Sequence, residues 1–595
     1  MTVRYDSRQT VYKEPFGCLR PGEDCRITVR EVGAEPQGVD LVIEADGGER
    51  RRFPMKRKEG PGEQADWEVW FRLPDCGLYF YYFQLGPDRR LMKDPDNEPV
   101  FQAGEPWQLS VCPAELFQET SWDGQVLYQI FPDRFCRAGS CDLTGKLSPY
   151  TLHETFDAPA GPEGLIMLGN DQFFGGNFAG IQEKLPFLRA LGVGAIYLNP
   201  ICMAQSSHRY DTADYLRPDP MLGTLEDFRL LCRAAHSLGL RVILDGVFSH
   251  TGSVSRYFDQ TGVFGGGAAS DPTSPCRSWY TFQHWPEAYT AWWGIPTLPC
   301  LNELDPAVLE FLVTGDQSVV RRWLRLGADG FRLDVADELP DEFLRALHRV
   351  VLEEKPRALI LGEVWEDASN KISYGVRRTY FTALELDGVM NYPARSVIVD
   401  FLLGKISAGA VARQLMTLAE NYPGSVLRRC SVSLSTHDTP RVLSVFLENQ
   451  QDGALDRAIR LEQLAVLLQF SLPGMPCVYY GDEAGMQGGA DPDNRRPYPW
   501  GREDRRLLDW YRALGRLRQT YPALRTGDFS CGAASETLLW LRRRRKDQTL
   551  LLLIHTGAVS VSVPVAGGTC LAELGARVLT EAAVLEPMGG LLLLT

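Results

Sequence analysis

Hydrophobic positions along the 595 residues fall into three textures. In residues 1–118 apolar and polar side chains alternate, as in Cys25-Arg26-Ile27-Thr28-Val29-Arg30 and Trp67-Glu68-Val69-Trp70-Phe71-Arg72-Leu73. A period of two belongs to a strand with one buried face. Clusters of Gly, Pro and Asp at 32–38, 46–48, 59–62 and 86–88 punctuate the runs. Short strands at this spacing predict a small β-sandwich, with Trp67 and Trp70 read as core or edge packing.

From 119 to 525, short apolar runs alternate with amphipathic stretches. Asn177 stands where a helix cap belongs, and that helix would end at Gly192 before the run 194–198. Thr224 and Asp227 have the spacing of a capping box, ahead of a helix that stops at Gly239 and a strand over 241–245. A helix over 340–353 precedes the run 358–363, and further strands are expected at 126–131, 329–334, 386–390, 431–435 and 477–480. Eight runs rich in Val, Ile and Leu with helices between them predict an α/β fold, a (β/α)8 barrel. One connection is too long: 89 positions separate Asp245 from Asp334, against 29 from Asp334 to Glu363. A loop of that size without structure is improbable, so a domain inserted at about 251–303 is expected. From 526 to 595 helical periodicity disappears, and alternation at 537–543, 549–554 and 559–565 predicts a C-terminal β-sandwich.

Charge and composition narrow the function. Acidic residues outnumber basic ones by 76 to 62, a formal net charge of −14. A surface of that sign repels phosphate backbones, so no nucleic-acid partner is expected. The start, Met1 to Arg8, has no apolar core of a secretory signal. The richest apolar run, Leu464 to Met475, is broken by Gln469 and Pro473 and falls short of the ~20 residues that cross a bilayer. A cytoplasmic protein with no membrane partner is the expectation. The fourteen Cys form no CxxC pair and read as reduced packing thiols. Arg542 to Lys546 reads as a solvated strand end, and Gly265 to Gly267 lacks the Lys and Ser or Thr of a phosphate cradle.

In such a barrel, catalysis is expected where the strands end. Asp245 and His250 follow the third strand, Arg332 and Asp334 close the fourth, Glu363 the fifth, and His437 and Asp438 follow the seventh. Taken singly, each has a plain alternative. Arg332 and Asp334 form a structural ion pair, Glu363 is a buried structural acid, His250 a core histidine and Tyr210 ordinary packing. Asp491 and Arg495 then form a surface salt bridge. Together they make a charged cavity that packing does not require.

The segments around these residues resemble the signature blocks of the α-amylase family, glycoside hydrolase family 13. The blocks are Asp245-Gly246-Val247-Phe248-Ser249-His250, Gly330-Phe331-Arg332-Leu333-Asp334-Val335-Ala336-Asp337-Glu338, Gly362-Glu363-Val364-Trp365 and Ser435-Thr436-His437-Asp438. They occur in the family's order, and the long insertion sits where the family carries its domain B. The leading β-domain, Val335-Ala336-Asp337-Glu338, Trp292-Trp293-Gly294 and Asp491-Pro492-Asp493-Asn494-Arg495 resemble the neopullulanase, cyclomaltodextrinase and maltogenic amylase group.

The resemblance implies a retaining glycosidase with Asp334 as nucleophile, Glu363 as acid/base and Asp438 gripping sugar hydroxyls. A retaining pair stands about 5–5.5 Å apart. Arg332, two residues before Asp334, would pair with it and keep it ionised. His250 and His437 would bind the same sugar, Tyr210 would stack beneath it, Asp245 and Arg332 would also count among the substrate-binding residues, and Asp491 with Arg495 would hold the next sugar outward. Trp292 and Trp293 either line the acceptor side or anchor the insertion. Asp337 and Glu338 either face the leaving sugar or start a helix. The implied partner is an α-glucan, with a homodimer through the N-terminal domain, as in that group.

The expected activity is hydrolysis mainly of α-1,4 bonds in maltodextrins, pullulan or cyclodextrins. Rival readings are an α-1,6-cutting pullulanase or oligo-1,6-glucosidase, and a silent glycan-binding scaffold. No cofactor is expected to be required. Relatives often bind calcium, but Ser249 stands where many have Asn, the loop Cys136 to Asp142 is poor in acids, and Asn177 stands where Asp is frequent.

Overall fold

The computed structural model describes every residue except 1, 33–37, 60–63, 158–167, 450–453 and 566. The turn clusters expected at 32–38 and 59–62 therefore lie mostly outside the described residues.

The amino-terminal part consists of two antiparallel sheets. One pairs Cys25–Val32 with Gln64–Phe71, Thr2–Arg4 and Lys13–Glu14, and the other is centred on Gly77–Leu85 between Val39–Ala45 and Arg89–Lys93. The strand Trp107–Val111 also lies on Gly77–Leu85. The alternation read from the sequence decides which side chains face inward: Ile27, Val29, Leu41, Ile43, Tyr81, Phe83 and Trp107 form one core. Trp67 belongs to that core, its indole N–H donating to Glu31 at 2.6 Å, whereas Trp70 is 57% exposed.

Eight parallel strands follow: β1 (Leu127–Ile130), β2 (Ala195–Leu198), β3 (Arg241–Gly246), β4 (Gly330–Leu333), β5 (Leu359–Gly362), β6 (Gly388–Val389), β7 (Ser431–Ser433) and β8 (Met475–Tyr479). Each pairs with the next, β1 pairs with β8, and a bridge from Met390 to Ser431 closes the ring. Both faces are buried. Leu127, Ala195, Tyr197, Ile243, Leu359, Leu361, Met475 and Cys477 fill the interior, while Ile196, Val242, Leu244, Phe331 and Ile360 pack under the helices. Because successive side chains swap faces, the interior positions nearest the strand ends are Gln129, Tyr197, Asp245 and Arg332. The polar site grows directly out of the apolar filling.

The caps predicted from sequence are present. Asn177 accepts from the Gly180 amide at 2.8 Å and starts the helix Phe178–Ala190, and Thr224 with Asp227 forms a capping box on Leu225–Ser237. The strict alternation fails once. Between β5 and β6 no α-helix forms among the described residues, and the chain makes a small hairpin, Ile372–Ser373 with Val376–Arg377. Helices Tyr392–Leu402, Ala408–Asn421 and Gly424–Arg429 then come together after β6. The long stretch between β3 and β4 carries the hairpin Phe282–His284 with Ala288–Tyr289 and short helical turns, then two helical segments that return to the barrel.

The carboxyl-terminal strands form one continuous six-stranded antiparallel sheet rather than two separate sheets. Its last strand, Ala582–Leu594, is long enough to pair with three neighbours. One face packs on the barrel helices and the other encloses Leu553, Val565, Ala583, Leu585, Leu591 and Leu593.

Arg518, 1% exposed on the helix Arg505–Thr520, ties this end together. Its guanidinium donates to the carbonyls of Gly124, Phe470, Leu472 and Gly474. Two of these belong to the end of the helix Leu455–Ser471, where carbonyls lack partners within the helix. Arg518→Met is expected to cost on the order of 2–3 kcal/mol by stranding these acceptors, read as a lower apparent melting temperature in a thermal scan.

Candidate active site

At the carboxyl ends of the strands lies a cleft of about 990 Å³, lined by Asp334, Glu363, Asp438, His208, His250, His437, Tyr210, Asp491 and Arg495 among others. Its floor is organised around one guanidinium. Arg332, 1% exposed, places one terminal nitrogen 2.7 Å from Asp245 and 2.8 Å from Asp334, and the other 2.8 Å from Glu363. Adjacent strands β4 and β5 supply Arg332, Asp334 and Glu363, so the sheet hydrogen bonds fix their spacing. Val335, at φ 38° and ψ 58°, turns the chain sharply after Asp334, and its amide donates to Glu363 at 2.8 Å. A β-branched residue in the left-handed region is strained, and such strain collects at functional sites. Trp365 donates its indole N–H to the other Glu363 oxygen at 3.1 Å.

The sequence expectation that Asp245 and Arg332 touch substrate needs correcting. Neither lines the cleft; both lie beneath it. Asp245 accepts from Tyr197 at 2.6 Å, Tyr210 at 2.8 Å and Arg332, which makes it an anchor for the groups above. Tyr210 lies parallel to His437, ring centroids 5.4 Å apart, and also takes a hydrogen bond from Asn199 at 3.1 Å. Gln129 donates to Nδ1 of His437 at 2.9 Å, which leaves Nε2 as the protonated nitrogen, 3.1 Å from Asp438. Arg495 pairs with Asp491 at 2.8 Å, reaches toward Asp438 at 3.6 Å and donates to the His437 carbonyl at 3.0 Å. The salt bridge read from sequence therefore exists, and it sits on the cleft wall.

Trp292 and Trp293 line the cleft with rings stacked 4.9 Å apart, which favours the wall over the buried anchor. Glu338 also faces the cleft, accepting from Trp293 at 3.2 Å and from the Tyr374 hydroxyl. Asp337 pairs with Lys371 at 3.2 Å.

Several positioning residues escape local sequence reading. Gln129, Asn199 and Tyr197 hold the substrate-facing groups from below, and Asn494 donates to the carbonyls of Thr436, His437 and Thr439, fixing the turn that carries Asp438. Only Asn494 carried a signal, as a member of the Asp491–Arg495 block.

Burial governs the electrostatics. It pushes Asp334 well above the usual carboxylate range; Arg332 opposes this, and Glu363, Asp245 and Asp438 add to it. Three carboxylates, Asp245, Asp334 and Glu363, share the charge of Arg332. Burial, reinforced by Glu363, raises Asp438 to about 7. Burial lowers His250 to about 4 and His208 to about 3, and with Arg495 and Arg332 it holds His437 well below 6.5. All three imidazoles are neutral at pH 7 and act as hydrogen-bonding groups. The unpartnered Nε2 of His250 is free for a ligand hydroxyl.

Burial thus raises Asp245, Asp334 and Asp438 together, and only Asp438 is placed near neutrality. Asp438 exchanges its proton at about pH 7, and its carboxylate is the better acceptor for sugar hydroxyls, so kcat/KM is expected to rise as pH rises through about 7. Asp491→Asn removes a charge that raises Asp438, so it moves this limb to lower pH. Rates measured from pH 5 to 9 on both proteins check the direction.

The chain matches the family described as "Alpha amylase, catalytic domain" over residues 129–507. It is 33% identical over 590 residues to an amylopullulanase of Thermoanaerobacter thermohydrosulfuricus, covering 88% of this chain but only 39% of that protein. It is 32% identical over 498 residues to a cyclomaltodextrinase of a Bacillus species, covering 80% of this chain and 81% of that one. A solved cyclomaltodextrinase structure superposes with a TM-score of 0.70 at 26% identity, covering 100% of this chain and 99% of that one. With the blocks, the barrel and the clustered carboxylates in agreement, this chain belongs to the α-amylase family of glycoside hydrolases.

Proposed function

We propose that the chain is a retaining α-glucan hydrolase acting mainly on α-1,4 bonds of maltodextrins, pullulan or cyclodextrins. The observation that carries this reading is the single Arg332 guanidinium holding Asp334 and Glu363 at one cleft floor. A cleft of this volume, near the upper end for small-molecule sites, suits several sugars in a row rather than one.

Asp334 attacks the anomeric carbon, and Glu363 gives its proton to the departing glycosidic oxygen. The resulting glycosyl ester on Asp334 is hydrolysed by water that Glu363, now a carboxylate, deprotonates. The proton returns to Glu363, and Asp334 is released. Asp438 and the neutral His250 and His437 hold sugar hydroxyls, and hydrogen bonds that tighten on an oxocarbenium-like ring lower the barrier. Tyr210 packs against the ring, braced by Asp245.

No metal takes part in this scheme. The donors nearest to where relatives hold calcium are already engaged. Asp133 binds Arg134 at 2.7 Å and the amides of Phe174 and Gly175, Asn177 caps its helix, and Ser249 is 2.9 Å from His250. These residues do not fit a bound calcium. Treatment with EDTA followed by desalting is expected to leave both activity and melting temperature unchanged.

Products of pullulan digestion, separated by anion-exchange chromatography, test the bond preference. Panose supports α-1,4 cleavage. Maltotriose replaces it with the α-1,6 reading, for which similarity to an amylopullulanase is the supporting observation. No turnover of any glucan, with binding intact, would mean a silent scaffold. A homodimer through the N-terminal domain belongs to the same proposal, and a monomeric mass by light scattering across the micromolar range removes it.

A further inference from the structure

The cleft wall beyond Glu363 is built by residues 364–378, the stretch that replaces a barrel helix. If Glu363 protonates the departing oxygen, as proposed above, the departing or accepting sugar lies along this wall. At its tip the hairpin turns through Tyr374 and Gly375, at φ 50° and 78°, the left-handed pair that suits a two-residue turn. Tyr374 is left 73% exposed, and its hydroxyl donates to Glu338, which Trp293 reaches from the inserted segment. Glu338 thus joins two aromatic side chains from two different loops.

The feet of the same wall stand on the amino-terminal domain. Arg377, the last residue of the hairpin, donates through two nitrogens to Asp46, at 2.8 and 3.4 Å, and through the third to the Asn370 carbonyl. Asp46 is fixed in the tight turn after the strand Val39–Ala45, its amide bonded to the Leu78 carbonyl at 2.9 Å. Beside it, buried Gln108 donates to Ser369 at 3.0 Å and accepts from Asn370 at 2.8 Å. Two-nitrogen contact between Arg and a carboxylate fixes direction as well as distance. The remaining guanidinium nitrogen of Arg377 bonds within its own loop, so the contact that ties the hairpin to the amino-terminal domain runs through Asp46.

We propose that Asp46 is a positioning residue for the acceptor side. Through Arg377 it fixes the hairpin that brings Tyr374 to Glu338 and Trp293, and so sets how firmly an α-glucan acceptor is held and how transfer divides from hydrolysis. The inference rests on the glycosidase reading above. It gives the amino-terminal domain a part in the reaction within its own chain.

The test uses 4-nitrophenyl α-maltoside as donor with and without maltose as acceptor. Released nitrophenol counts total turnover, and chromatography separates transfer from hydrolysis products. For Asp46→Ala, nitrophenol release without acceptor is expected within about twofold of the parent, while the ratio of transfer to hydrolysis changes about threefold to fivefold, the scale of a half-exposed ion pair. Asp46→Glu should keep much of the parent ratio, and Asp46→Arg combined with Arg377→Asp should recover more of it than either single change. An unchanged ratio in Asp46→Ala overturns the proposal. So does a loss of total turnover that matches the change in ratio and is not relieved by the reversed pair. A parent that releases no nitrophenol overturns the hydrolase reading and this inference with it.

Discussion

Asp334→Asn is expected to lower kcat on maltodextrins by on the order of 10⁴-fold or more, because the covalent route then has no nucleophile. The amide is nearly isosteric, and its oxygen can still accept from Arg332, which lies 2.8 Å from the carboxylate in the parent. Asp245 and Glu363 keep their own bonds to the same guanidinium, so the floor should not collapse. Glucan binding, measured by calorimetry with maltohexaose, should therefore persist while turnover disappears. A better leaving group should not rescue the variant, since the missing step is attack at carbon rather than departure of oxygen. Hydrolysis at a rate like the parent's would remove Asp334 from the reaction.

That expectation starts from residues legible in the sequence. Alternating apolar runs placed the barrel strands within a few residues, and they also explain why Asp245 and Arg332 point inward at the strand ends. The chemical blocks were readable because they sit at those ends, each within a handful of consecutive residues. Depth was not readable. Asp245 looked like a substrate contact, yet three side chains cover it from above and beside: Tyr197, Tyr210 and Arg332. Asn494 bonds to carbonyls more than fifty positions earlier, and no local pattern encodes such a pairing. The hairpin after β5 was missed for a related reason. Its two-residue strands are too short for any period to show, and its anchor, Asp46, lies 331 positions away. The carboxyl-terminal alternation correctly gave strands, but alternation does not state whether six strands belong to one sheet or two.

Glu363→Gln is expected to behave differently from Asp334→Asn, and the difference assigns the two roles. On maltodextrins, whose departing sugar alkoxide needs a proton, the variant should lose on the order of 10²–10⁴-fold in kcat. The glutamine can keep the contacts from Val335 and Trp365 only by presenting one oxygen to one of them, so some loss of alignment is included in that figure. On α-maltosyl fluoride, the departing fluoride needs far less help, and formation of the Asp334 ester should run at a rate near the parent's. Its hydrolysis then lacks the general base, so the ester accumulates. A burst of fluoride followed by slow turnover is the kinetic signature. Mass spectrometry of the quenched variant should find one maltosyl unit on the peptide that contains Asp334. If the label appears on another carboxylate, or if fluoride release is slowed as much as glucan hydrolysis, Glu363 is not the acid and base. The shared bond to Arg332 would then be only a structural tie between neighbouring strands.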